Sequence, residues 1–426
     1  MEHYQVAVIG GGPAGMAAAV SAASCGASTI LIEKNGYPGG MSTSGLLNRW
    51  CGDSSSGFYR KVFQLTTIKR GRRVVYNPEE LKACYLRLLE EAGVTVRLHS
   101  SFVKVNKDGE HIVSIDVLGA GEIETIAADV FIDATGDGFV AKNAGVNYCK
   151  GRESDHLMQP MSLMFSVGGV QEDRAVYPSF HTHPELEKKM EEYVEQGKVD
   201  RPAGHVILME GYVPGTATVN MTNLIRMDGT DVKDLSRAEL MTRRQVPQIM
   251  NFLRECVPGY ENCYLLQTAN HVGVRETLHF EGEYRLTQQD ILNQEIFEDW
   301  VVSNAKYGFG NHNLTGSGPD SGNLSYHQEQ YTIPYRALQA KGVDNLLLAG
   351  RNISGTHMAH ASYRVMPICM GIGEGAGVGA ALAAMNGIAV REVDVKEIQR
   401  ILVDTFGVEK PHKNQMLSGT EKESAE

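Results

Sequence analysis

The chain has 426 residues, 42% hydrophobic and 21% charged, which is enough to bury a sizeable core and excludes a disordered or collagen-like polymer. Its 40 Lys and Arg stand against 51 Asp and Glu, a formal charge of −11, so no basic face is expected on which a nucleic-acid backbone would be neutralised. Seven scattered Cys without a C-x-x-C pair argue against a disulfide scaffold, an iron–sulfur cluster and a redox-active dithiol. The amino terminus enters a folded motif almost at once, without the pattern of a signal peptide, and the apolar stretch near 365–390 carries Glu374; a cytoplasmic protein without a membrane span is expected.

In chain order, QVAVI at 5–9 is a short apolar run, followed by the turn GGGPAG at 10–15 and by the Ala-rich MAAAVSAASC, which Gly26 closes. This spacing predicts strand, glycine turn and helix. STILIE at 28–33 supplies a second buried parallel strand ending on Glu33 and completes a βαβ unit. Gly10, Gly12 and Gly15 form G-x-G-x-x-G in that context, with Glu33 standing 23 positions after Gly10. The glycines permit a tight turn and close approach of backbone to a pyrophosphate. The helix N-terminus favours phosphate charge, and Glu33 would accept bonds from the hydroxyls of an adenosine ribose.

NGYPGGMSTSG at 35–45 reads as a loop of small residues, and PEELKACYLRLLEEA at 78–92 as a helix stopped by Gly93. Between 94 and 134 the period falls to two, with turns at KDGE and GAGE, which predicts an antiparallel meander leading into another buried strand. DATGDG follows at 133–138. From about 150 to 330, strands (MSLMFSV, TATVNMT, NCYLLQTA) mix with polar helices near 184–197 and 236–256 and a loop at 314–323. NLLLAG at 345–350 returns to the buried-strand pattern, and MPICMGIGEGAGVGAALAAMNG at 366–387 reads as a helix beginning at Pro367. The expected class is α/β: a Rossmann-like nucleotide domain with a parallel sheet and β-meander, split between 1–150 and 331–390. An inserted α+β substrate lobe occupies 151–330, and a C-terminal helix and polar tail 391–426.

This layout, with its A-T-G turn and late L-L-L-A-G-R strand, resembles flavoproteins of the glutathione-reductase-like FAD class. NLLLAGRNISGTHMAHASYRVMPICMGIGEGAGVGAAL at 345–382 is similar to the C-terminal signature of the bacterial FAD-dependent oxidoreductase family related to fumarate reductase and succinate dehydrogenase flavoproteins. HVGVRETLHFEGEYRLTQQDIL at 271–292 is similar to the internal G-V-R-E-T segment of that family, and the match points run from residue 5 to about 387. The resemblance implies FAD as the cofactor and an FAD-binding domain. It places Pro13 and Ala14 with the three glycines, Lys34 beside Glu33, and Gly40, Met41 and Ser42 next to the flavin. Val103 of the meander, Ala134 and Gly136 of the A-T-G turn, and Gly350, Arg351, Met366 and Gly371 complete the implied cofactor set. Many flavoproteins carry Gly-Asp where this chain has Gly350-Arg351, so a ribityl-anchoring carboxylate is not expected there. Free N–H groups at the start of the 366–387 helix would favour negative charge on the reduced ring.

Flavin performs the redox step, which leaves the protein to place a carbon near N5, move a proton and exclude water. His357, His360, Tyr363 and Arg364 fall within eight residues, and on a helix His357, His360 and Arg364 share a face. Either His is a candidate base or a hydrogen-bond partner of flavin or substrate, and Arg364 a candidate to fix a carboxylate. Arg275 with Glu276 reads either as a buried ion pair or as a substrate-carboxylate clamp. His271, His312, His181 and His183 have no Cys or acidic residue at ligand spacing, so no metal is expected. GIGEGAG at 371–377 has Gly at alternate positions and fits the flavin helix rather than a second nucleotide turn, so a separate electron donor or acceptor is expected. The suggested function is hydride transfer through flavin N5, as dehydrogenation or reduction of C=C or C=O, on a small polar organic substrate. The alternatives are an oxygen-using oxidase or monooxygenase, and a flavin-binding subunit without turnover.

Overall fold

The computed structural model of the chain describes residues 2–70, 73–320 and 329–412. Its first strand, Glu2–Ile9, is polar at its entry and fully covered over Val6–Ile9, the continuous apolar run that a strand buried on both faces requires. Thr29–Ile32 pairs with it in parallel on one side and Glu122–Asp133 on the other. Thr95–Arg97 extends the sheet beyond Thr29–Ile32, and Leu346–Leu348 beyond Glu122–Asp133, again in parallel. One edge of Glu122–Asp133 serves two neighbours. Residues 131–133 pair with Leu346–Leu348, while 122–127 pair antiparallel with His111–Gly119, which continues to Ser100–Asp108. A single seven-stranded sheet thereby holds both the parallel nucleotide-binding core and the meander.

Helix Pro13–Ser24 lies against helix Met366–Asn386, and their contact accounts for the alternate glycines. A Cβ on Gly373 would fall 1.9 Å from the Ala14 carbonyl oxygen, and one on Gly377 2.3 Å from that of Ala18. Gly371 and Gly375 face Val302 and Val301 of strand Trp300–Lys306, and Gly379 faces Tyr335. Among the described residues this is the one helix long and apolar enough to cross a membrane, and it is buried in the core.

A second, antiparallel sheet runs in the order Leu208–Glu210, Ala217–Val219, Phe165–Gly168, Tyr264–Thr268. Helices Pro184–Glu195 and Val232–Cys256 cover it, packing Leu186, Met190, Ile249, Phe252 and Leu253 onto Phe165, Val167 and Val219. This smaller core draws on Leu46 and on residues between 163 and 269, whereas Leu278, Phe280, Val301, Val302, Tyr331 and Ile333 belong to the large one. The expected lobe boundary at 330 therefore falls later than the packing does. Leu278–Phe280 pairs back with Tyr148–Lys150, and Trp300–Lys306 pairs with Gln330–Pro334, which draws the last part of the insert into the nucleotide-binding body. Helix Val395–Asp404 stands within the expected C-terminal region. Residues 413–426 of the tail and 321–323 of the 314–323 loop lie outside the described residues.

Candidate active site

The glycines of the first turn have different neighbours. Gly10 has φ +101°, and a Cβ there would fall 2.4 Å from the Ala134 carbonyl oxygen; one on Gly15 would fall 1.8 Å from that of Gly10. Both positions are closed by the protein's own backbone. Gly12 is the N-cap of helix Pro13–Ser24, and a Cβ there meets nothing within 4 Å. Its open face stands before the unpaired N–H groups of the helix, where a phosphate is favoured. The Gly39 N–H donates to the Gly11 carbonyl oxygen at 2.6 Å, and Gly40 lies against Gly12, so the 39–45 loop folds over the turn. Within that loop Met41–Ser44 form one helical turn.

Glu33, 4% exposed, accepts from the Gly11 N–H at 2.7 Å and from the backbone and side-chain amides of Asn35 at 2.8 and 2.7 Å, which leaves carboxylate lone pairs for ribose hydroxyls. Lys34 and Val103 are exposed. The Ala134 N–H donates to the Ile9 carbonyl at 2.8 Å, and Gly136 lies under the Arg351 guanidinium. Arg351 donates from Nη2 to Asp137 Oδ1 at 2.9 Å, while its buried Nη1 has no partner among the described residues. The residue after Gly350 is thus a cation balanced by the second Asp of DATGDG, with one donor unspent. Open Gly12, the free lone pairs of Glu33 and the Arg351 donor fit the phosphates and ribose of an adenine dinucleotide.

At the other end of the loop, Met41 reaches toward Gly273, Ser42 Oγ donates to the Gly39 carbonyl at 2.6 Å, and Tyr76 OH donates to the Ser42 carbonyl at 3.1 Å. The same hydroxyl is 3.8 Å from Met366 Sδ, where the glycine-rich helix begins. Gly371 stands in the second turn against Val302, so packing accounts for its lack of a side chain.

Arg275 and Glu276 turn to different partners and form no ion pair with each other. Glu276 Oε1 accepts from His357 Nδ1 at 2.6 Å and from His279 Nε2 at 2.8 Å, and Oε2 from the Gln159 N–H at 2.9 Å. Burial alone would raise the Glu276 pKa, but the two imidazole bonds outweigh it and hold the group below the usual carboxylate range. His360 stands edge-on to His279 with ring centroids 4.8 Å apart; burial, with His279 beside it, pushes its pKa well below the usual value. Helix His357–Tyr363 carries both imidazoles, and His357 and His360 are only 2% and 1% exposed. Glu276, His279 and His360 are the one group of potential metal ligands that converges among the described residues, and none of His181, His183, His271 and His312 belongs to it.

Arg275 donates to the Pro160 carbonyl and to Ser162 Oγ, the latter at 2.9 Å. Arg364 donates to the Gly310 carbonyl at 2.7 Å and to Gln159 Oε1 at 3.3 Å, and its Nε has no partner among the described residues. Burial and the neighbouring Arg364 lower the Arg275 pKa to about 9, and burial lowers that of Arg364. The same cations reach two histidines. Burial and Arg275 push His205 down to about 4, and burial with Arg275 and Arg364 pushes His312 well down. Phe180 lies 5.9 Å, ring to ring, from each of these imidazoles. Arg275, Tyr307, His312 and Arg364 keep accessible surface, and together they line the seam where the lobe meets the nucleotide-binding body. Sequence reasoning passed over His205, Tyr307 and Gln159 because no motif surrounds them; only the folding of three distant segments onto one place singles them out.

The chain matches the model of the FAD-dependent oxidoreductase family over residues 5–402 and belongs to that family, which makes it an oxidoreductase with FAD as its cofactor. No match is found among curated proteins. A solved structure of a geranylgeranyl bacteriochlorophyll reductase-like protein from Thermoplasma acidophilum is similar with a TM-score of 0.50 and 15% identity, covering 95% of this chain and 84% of that one. The p-nitrophenol 4-monooxygenase PnpA from Pseudomonas putida DLL-E4 is similar with a TM-score of 0.52 and 11% identity, covering 95% of this chain and 87% of that one. At these identities the likeness establishes the shared fold.

Proposed function

We propose that this flavoenzyme transfers hydride between the flavin N5 position and a small organic anion whose carboxylate sits between Arg275 and Arg364. The observation that carries this reading is a pair of half-buried guanidinium groups, each bonded, among the described residues, only to carbonyl, hydroxyl and amide oxygens. Neither guanidinium has a carboxylate bonded to it among the described residues, Glu276 acting on Arg364 only at longer range, and a carboxylate between the two would offset both. The planar fork of Arg suits two-point contact with such a group.

When bound, FAD supplies two-electron chemistry at N5. The open face of Gly12 and the helix behind it would receive phosphate, Glu33 would accept from ribose, and the N–H groups near Met366 would favour negative charge on the reduced ring. Gln159 ties the clamp to the buried cluster, since its side-chain oxygen accepts from Arg364 while its N–H donates to Glu276. His357 and His360 present almost no surface to a substrate, so in this reading they are positioning residues that fix Glu276 and, through it, Gln159 and Arg364. The alternate glycines of 371–379 serve packing, which supports a separate electron donor or acceptor for the second half-reaction.

Difference spectra of the bound flavin on titration with small carboxylates test the clamp. Arg275→Lys and Arg364→Lys are each expected to raise the carboxylate Kd about 10- to 100-fold, the range for losing hydrogen bonds to a charged group, with FAD content unchanged. Equal Kd values in wild type and both variants remove the clamp. Mixing photoreduced protein with air addresses oxygen chemistry. Slow reoxidation is expected, and fast reoxidation coupled to substrate hydroxylation replaces hydride transfer with a monooxygenase reaction.

A further inference from the structure

A groove of about 430 Å³ opens on the surface beside helix Gly57–Thr66, lined by Trp50, Asp53, Tyr59, Arg60 and Phe63 among others. Three of its sides are aromatic. Tyr59 and Phe63 stand four apart on the helix and meet edge to face, ring centroids 5.8 Å apart at 69°, and Trp50 meets Tyr59 at 5.7 Å and 70°. Fully buried Tyr76 stacks on one face of the indole at 4.4 Å, so the opposite face is the one left to the groove. Trp50 Nε1 donates to Thr67 Oγ1 at 3.0 Å, which holds the ring in place. Asp53 is held as firmly: its backbone exchanges two hydrogen bonds with Lys306, each of 2.9 Å, and its Oδ1 accepts from the Ser54 N–H at 2.8 Å.

Charge decides what such a groove can take. Arg60 is balanced by Glu409 at 2.9 Å, whereas the exposed Asp53 carboxylate forms no ion pair among the described residues, even with Lys306 across the bridge. The walls add the negative faces of aromatic rings, which attract a cation and repel an anion. We propose that the groove is a binding site for a small organic cation, an alkylammonium group seated on the open face of Trp50 with the Asp53 carboxylate balancing its charge. An alkylammonium also buries its methyl or methylene groups against the rings, which a strongly hydrated inorganic cation cannot do. Because Trp50 and Asp53 are already fixed, little side-chain freedom is lost on binding.

The test is calorimetric titration of the FAD-loaded protein at neutral pH with choline and with the neutral alcohol in which a carbon replaces its nitrogen, the same shape without the charge. Choline is expected to bind about tenfold more tightly than the alcohol. Asp53→Asn keeps an oxygen for the Ser54 N–H and removes only the charge; it is expected to weaken choline about two- to fivefold and to leave the alcohol as before. Phe63→Leu, at a half-buried position, is expected to weaken choline by a similar factor through the lost ring. Absence of choline binding, or equal binding of choline and the alcohol, overturns the proposal. Choline binding that neither variant weakens places the cation elsewhere and overturns it as well. The arginine clamp stands or falls on its own carboxylate titration, whichever of these results is found.

Discussion

At Gly12, folding and cofactor binding separate. Among the described residues, none beyond its chain neighbours has an atom within 4 Å of a Cβ placed there, and its φ of −70° suits any residue. Gly12→Ala is therefore expected to melt like wild-type apoprotein yet to emerge from gel filtration without its flavin absorbance; full retention of FAD would remove Gly12 from the phosphate site. Gly15→Ala, whose Cβ would meet the Gly10 carbonyl at 1.8 Å, is expected to fail at folding instead. The glycine turn and Glu33 were legible in the sequence because strand, turn, helix and acidic residue are all local. The divergence of Arg275 from Glu276 was not. Residues 274–277 are neither helix nor strand, so no periodicity fixes which way neighbouring side chains point, and the apparent ion pair resolves into a half-buried cation and a carboxylate held by His279 and His357.

Among the elements, helix Met366–Asn386 bears the most contacts that glycine alone permits. Alanine in an exposed helix interior is favoured over glycine by about 1 kcal/mol. Gly373→Ala and Gly377→Ala should reverse that sign, since the new methyl would press on the backbone carbonyls of Ala14 and Ala18, which cannot rotate aside. A loss of about 1–3 kcal/mol in urea unfolding is expected for each, and a gain would show that the two helices part easily. The same helix carries buried Glu374, whose carboxylate accepts the Gly57 and Phe58 N–H groups at 3.0 and 2.8 Å and so caps helix Gly57–Thr66. The place of the glycine-rich helix could be read from its apolar run. The reason for glycine at every second position could not, because it depends on Pro13–Ser24, Trp300–Lys306 and Tyr335 closing on it from different sides.

For the whole molecule, the two larger of three apolar cores flank a seam that carries the half-buried arginines, and the titration of its buried groups has a consequence for stability. His205, His312 and His360 stay neutral in the fold, while unfolded they titrate near 6.5. Below that pH the unfolded chain binds protons that the folded one refuses, so each histidine withdraws about 1.4 kcal/mol of stability per pH unit, for His205 until about pH 4. Glu374, raised to about 7 by burial, acts in the opposite sense between about 4.5 and 7 and offsets one of the three. The Tm is expected to fall from pH 6.5 to pH 5, less steeply in His205→Phe; a rising Tm over that range would mean the imidazoles are already charged in the fold. The parallel sheet and the meander were legible at this scale, and the seam was not, since Gln159, His205, Arg275 and Arg364 come from four separate segments that no local pattern links. The most direct measurement of what the protein does is anaerobic mixing of the FAD-loaded enzyme with a panel of small carboxylates, and separately with NADH and NADPH, while following the flavin absorbance. Saturable bleaching by a carboxylate, weakened in Arg364→Lys, with both nicotinamides leaving the flavin oxidised, is the expected result. Rapid saturable bleaching by NADH or NADPH, with every carboxylate inert, would contradict it.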